Sequence, residues 1–177
     1  MMKNVYLITH GMTDDQPDPG MTSDGHNAIC AIRKRLHEFM KLSDTQIVCG
    51  VGYRQVQVLM DICGGIPDSV MFCEVWGGAP TLMKTSGPKR ILLGDGTEIA
   101  FSNYDMKPMA VAIKAALVEL PENSLICSGR PVLVRLGLKS EECQSSALYR
   151  LRVNDDGSLE HAEILIGGIN ISSPTAG

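Results

Sequence analysis

Short apolar runs alternate with amphipathic helical stretches along most of this chain, and that alternation restricts its folds more than any other feature. Val5-Tyr6-Leu7-Ile8 is a brief apolar run bounded by polar residues and a glycine, the mark of a buried strand. After a polar, proline-rich loop over residues 14–20, Thr22 or Ser23 is placed to cap a helix reaching about Lys41. Ile29, Ile32, Leu36, Phe39 and Met40 recur there at helical spacing, with Arg33, Lys34, Arg35 and Glu38 on the outward face. Residues 46–51 read as a second strand, residues 53–63 as a helix ended by Gly64-Gly65, and residues 69–73 as a third strand. Strand–helix–strand order of this kind makes βαβ units and a mostly parallel sheet.

The middle of the chain departs from that rhythm. Residues 76–89 are rich in Gly, Pro and Thr and read as an irregular loop, and residues 90–101 as a hairpin turning at Asp95-Gly96. A helix follows over residues 106–120, then a strand at 124–127, a turn at Ser128-Gly129-Arg130 and a short helix opening at Pro131. Residues 147–153 and 159–166 form a closing hairpin around N-D-D-G, while residues 167–177 have little to bury and are expected to be a mobile tail. The 177 residues suit one domain, here residues 1–166.

Composition narrows the function classes. A formal charge of −4 argues against a nucleic-acid-binding surface. No apolar run approaches the ~20 residues of a membrane span, and the amino terminus does not read as a secretory signal. Cys30, Cys49, Cys63, Cys73, Cys127 and Cys143 are scattered without a C-x-x-C pair. That pattern fits reduced, buried thiols in a cytoplasmic protein better than disulfides or a metal site.

The chemistry gathers at strand ends. The apolar runs are followed by His10-Gly11, by residues 50–54 with Arg54, by Glu74, and by Ser128-Gly129-Arg130. Parallel strands would put all of these on one edge of the sheet, where open α/β sheets bind ligands. Arginine forks and helix amino termini suit an oxyanion such as phosphate. A histidine nucleophile with a carboxylic proton donor suits phosphoryl transfer through a covalent intermediate. Taken singly, Arg54, Glu74 and Arg130 each read equally well as surface charges, and His10 as the end of a strand.

T-H-G-M-T after the first strand, M-T-S-D-G before a helix, G-Y-R-Q-V-Q after the second strand and F-C-E-V-W-G-G after the third together resemble the histidine phosphatase (phosphoglycerate mutase-like) superfamily. The resemblance covers nearly the whole chain in order. It implies a three-layer α/β/α sandwich with a mainly parallel central sheet and an added antiparallel edge. By the same resemblance His10 matches the transiently phosphorylated histidine, with Gly11 and Thr13 its neighbours in the motif. Arg54 matches an arginine that binds phosphoryl oxygens, and Glu74 the carboxylic proton donor; no metal or organic cofactor is implied.

Two positions depart from the family. Its arginine before the nucleophile is Thr9 here, and its second histidine is replaced by Gly129, between Ser128 and Arg130. Losing one positioned donor from such a pocket costs ~3–4 kcal/mol of transition-state stabilisation. Arg130 is the candidate to compensate, Thr9 and Ser128 can offer only uncharged hydrogen bonds, and among the other histidines His26 lies nearest the first loop while His37 and His161 suit surface roles. The family's cap over the pocket is reduced to residues 77–101, an open site suited to a phosphoprotein as well as a phosphorylated small molecule. Two readings follow: a phosphatase of weakened activity working through His10, or an inactive relative that binds a phosphorylated ligand or a protein partner.

Overall fold

The apolar run that opens the chain becomes β1 (Lys3–Thr9), an interior strand of the sheet, with Val5, Leu7 and Ile8 fully buried. A computed structural model describes residues 1–11, 20–77, 89–92, 98–101 and 109–170, with backbone alone at residues 74, 89–92, 98–101, 109 and 169–170. In chain order the further strands are β2 (Ile47–Cys49), β3 (Met71–Phe72), β4 (Lys89–Leu92), β5 (Glu98–Phe101), β6 (Leu125–Ser128), β7 (Gln144–Ser145), β8 (Leu148–Val153), β9 (Leu159–Ile166) and β10 (Ile169–Asn170). The helices are α1 (Ser23–Arg35), α2 (Tyr53–Cys63), α3 (Met109–Glu119) and α4 (Arg130–Arg135).

Six strands form the main sheet in the order β3-β2-β6-β1-β8-β9. β1 runs parallel to β6, β6 to β2 and β2 to β3, while β8 lies antiparallel to β1 and β9 antiparallel to β8. Alternation along the strands builds the two faces. Tyr6, Ile8, Ile47, Cys49, Leu125 and Cys127 pack with Ile29, Ile32, Val56, Leu59 and Ile62 of α1 and α2. Val5, Leu7, Val48, Ile126, Tyr149 and Leu151 pack with Ile113, Leu117, Val132 and Leu133 of α3 and α4, and with Trp76. This is the expected three-layer α/β/α sandwich, its parallel strands joined through helices and its antiparallel pair at one edge.

Local chemistry sets the helix ends. Thr22 caps α1, its hydroxyl accepting from the Gly25 amide at 3.1 Å. Gly64 closes α2 in the left-handed region at φ 72°. α1 stops at Arg35 rather than running to Lys41, because the Phe39 and Met40 amides both turn back to the Leu36 carbonyl and tighten the last turn.

The chain also continues beyond the expected domain end. β10 pairs antiparallel with β7, Ile169 opposite Ser145 and Asn170 opposite Gln144. Backbone pairing of this kind needs no apolar side chains, so composition gave no sign of it. β4 and β5 form the expected hairpin as a separate two-stranded sheet, and Asp95-Gly96 lies outside the described residues.

Candidate active site

The carboxyl ends of β1, β2, β3 and β6 share one edge, as their parallel registers require. β1 delivers His10, β2 leads through Gly50 and Gly52 into Arg54 in the first turn of α2, and β6 leads through Gly129 to Arg130. Glu74 opens a 3-10 turn, Glu74–Trp76, just past β3, so its backbone lies on this same edge. That turn is tied back to the sheet by the Cys73 amide on the Cys49 carbonyl and by the Ser128 hydroxyl on the Trp76 carbonyl. The Glu74 side chain and all of Thr13 lie outside the described residues.

His10 and Arg54, 44 positions apart, meet directly: Arg54 Nε donates to His10 Nε2 at 3.1 Å. On the other side of the ring, Nδ1 stands 2.9 Å from the Gly11 carbonyl. A guanidinium can only donate and a carbonyl can only accept, so the imidazole carries its proton on Nδ1 and turns a lone pair at Nε2 toward Arg54. Burial first, then the Arg54 charge and to a smaller degree that of Arg130, push the His10 pKa down to about 3 against the opposing Gly11 bond. The imidazole is neutral at any ordinary pH. Arg54 is only 2 % exposed, which places a cation in a low-dielectric pocket beside it.

Thr9 and Gly129, the two positions that depart from the resemblance, are each fixed by their neighbours. Thr9 is fully buried, and its hydroxyl donates to the Gln144 carbonyl at 2.7 Å while accepting from the Ala147 amide at 3.0 Å. Its oxygen therefore knits β1 to the segment before β8 and offers the pocket no donor. At position 129, an added Cβ would stand 2.8 Å from His10 Cδ2 and 2.9 Å from Nε2. The imidazole fills the space into which any side chain at 129 would grow, so a histidine there is incompatible with His10 as placed. Arg130 is partly buried, and its charge acts on His10, Cys143 and Tyr149 alike.

Gly11 packs against the backbone of Gly25. A Cβ on it would sit 2.4 Å from Gly25 Cα, so the loop after β1 presses on the first turn of α1. Its amide points to the Met21 sulfur at 3.1 Å. Ser128 keeps its hydroxyl on Trp76. The His26 Nδ1 lies 2.6 Å from Asp61 Oδ2, bridging α1 to α2, and His37 and His161 are exposed.

The sequence reading overlooked the segment that holds His10 from behind. Ser145 Oγ donates to the His10 carbonyl at 2.8 Å and the Ser146 amide donates to the same oxygen at 3.0 Å. Ser146 adopts φ 53°, a left-handed conformation. Its only signal in the sequence is a polar Q-S-S stretch interrupting the approach to an alternating strand. Among the described residues, no three His, Cys, Asp or Glu side chains gather as metal ligands do, and no helix is long and apolar enough to cross a membrane.

No family model and no curated protein sequence matches this chain. Solved structures do match in fold. The protein histidine phosphatase SixA, complexed with tungstate, superposes at a TM-score of 0.58 with 14% identity, covering 91% of this chain and 96% of that one. Mycobacterial glucosyl-3-phosphoglycerate phosphatase gives 0.58 at 12% identity, covering 96% and 100%. YhfR of Bacillus stearothermophilus gives 0.56 at 16%, covering 94% and 96%. At these identities the likeness speaks for the fold.

Proposed function

We propose that this chain, which has the phosphoglycerate mutase-like fold of the histidine phosphatases, accepts phosphoryl groups on His10 and hydrolyses phosphomonoesters slowly. The observation that carries the reading is the Arg54–His10 pair, a buried guanidinium 3.1 Å from an unprotonated Nε2 whose tautomer is set by Gly11. An incoming phosphate draws Arg54 off the imidazole, since a charged acceptor makes a hydrogen bond about twice as strong as a neutral one. The freed Nε2 attacks phosphorus, the bond from phosphorus to the ester oxygen breaks, and Glu74 gives that oxygen its proton. Water then attacks phosphorus and gives a proton back to the Glu74 carboxylate, the phosphorus–nitrogen bond breaks, and the imidazole leaves in its neutral form. Arg54 and Arg130 hold the phosphoryl oxygens, and the scheme requires no metal or cofactor. Phosphorylated small molecules and phosphoproteins are the substrate classes, and the cytoplasm the setting.

A second reading, binding without turnover, is favoured by the fate of Thr9, whose hydroxyl is engaged with Gln144 and Ala147 where the family resemblance implies a cation. The two are separated by mixing the protein with an aryl phosphate in a single turnover and quenching in alkali, in which phosphohistidine survives. Label on the wild type and none on His10→Ala supports transfer. Equal, unlabelled behaviour of both proteins, with phosphate still binding to the wild type, leaves the binding reading.

A further inference from the structure

We propose that β10 and the Gln144–Ala147 segment form a clamp that positions His10 through its backbone, with Ser145 as the positioning residue. The proposal builds on the reading of His10 as the reacting group, but it concerns the ring's orientation and can be tested without turnover. The segment is held on two sides. Toward β1, Thr9 exchanges hydrogen bonds with Gln144 and Ala147 through hydroxyl and backbone, and Ser145 Oγ and the Ser146 amide both donate to the His10 carbonyl. Toward the carboxyl terminus, Ile169 and Asn170 pair with Ser145 and Gln144, and the Gly168 amide donates to Gln144 Oε1 at 2.7 Å.

Two donors on one carbonyl fix the plane of the peptide between His10 and Gly11. That plane carries the Gly11 Cα, the anchor from which the Gly11 carbonyl extends to hold Nδ1. A change at the tail therefore reaches the imidazole through covalent geometry and hydrogen bonds already described, with no long chain of side chains between. Position 168 provides a lever far from the ring. A Cβ there would stand 1.9 Å from the Ser145 carbonyl oxygen and 2.4 Å from that of Ser146, both backbone atoms that cannot swing aside. Any residue larger than glycine at 168 must lift β10 away from the segment.

The test uses the full chain in four forms: wild type, Ser145→Ala, Ser145→Thr and Gly168→Ala. Nitrogen-15 chemical shifts of His10 report its tautomer and its titration. The wild type should show a single tautomer protonated on Nδ1, with no titration above pH 5. Ser145→Ala and Gly168→Ala should mix the tautomers and shift the titration upward, and Ser145→Thr, which keeps the hydroxyl, should restore the wild-type signals. Where the wild type proves active, both disruptive variants should lose tenfold or more in phosphoryl transfer to His10 while binding phosphate within about threefold. A merely structural role would lower the melting temperature and leave the His10 signals unchanged, and that result overturns the proposal. Should Ser145→Ala fail to fold, Gly168→Ala decides alone: wild-type His10 signals in it overturn the proposal as well. A wild type without turnover but with the expected tautomer changes would refute the catalytic reading and leave the clamp standing.

Discussion

At the scale of single residues, the pocket is defined by what each polar atom is already doing. Arg54 is buried and faces Nε2, so its removal should be felt both by a bound oxyanion and by the ring. We expect Arg54→Ala to weaken phosphate binding and any transfer to His10 by about 10²–10³, the usual loss when a buried donor is removed. Isothermal titration with phosphate and the single-turnover assay measure the two effects. The depressed His10 pKa makes a separate prediction. Unfolded, the imidazole titrates near ~6.5; folded, it does so at about 3. Between those values the unfolded state takes up a proton that the native state refuses, so stability falls as pH drops from about 7 toward 3. Urea melts of wild type against His10→Ala across this range should show the wild type losing more. For the same reason, an acid limb in activity between pH 5 and 7 belongs to another group. Gly129→Ala should displace the imidazole and abolish the Arg54–His10 contact, read as a change in the His10 nitrogen shifts.

At the scale of elements, the site depends on how helices and strands end. β2 delivers Arg54 to the pocket because Gly52 starts α2 there, and the α1–α2 layer is stapled beneath by Ile29, Ile32, Val56 and Leu59. Leu59→Ala should destabilise the fold by about 2–5 kcal/mol, the range for a fully buried leucine, measured by chemical denaturation. The His26–Asp61 bridge between the same helices is partly open to solvent, so Asp61→Asn should cost less than about 1 kcal/mol and leave phosphate binding unaltered. The strand and helix types were legible from apolar spacing, and the cap of α1 was narrowed to Thr22 or Ser23 by side-chain chemistry, the structure choosing Thr22. The β7–β10 pairing was not legible, since it rests on backbone pairing between two-residue strands too short to show any periodicity.

At the scale of the molecule, the net charge is −4, yet the two charges that act on the buried His10, those of Arg54 and Arg130, are both cationic. An oxyanion that fits should therefore stabilise the whole fold through binding to the native state alone, by about 1.4 kcal/mol at ten times its dissociation constant. Tungstate or phosphate should raise the melting temperature of the wild type and leave that of Arg54→Ala unmoved, as thermal denaturation will record. The sequence by itself determined the layered α/β architecture, the edge on which His10, Arg54, Glu74 and Arg130 emerge, and the two departures at Thr9 and Gly129. Those follow from side-chain spacing and strand order, which are local properties. Only the tertiary structure decided that Thr9 spends its hydroxyl on the Gln144 segment, that the imidazole fills the space beside Gly129, and that β10 pairs with the segment behind His10. Each of these depends on distances of a few ångströms between segments remote in the chain, and no residue pattern encodes such distances.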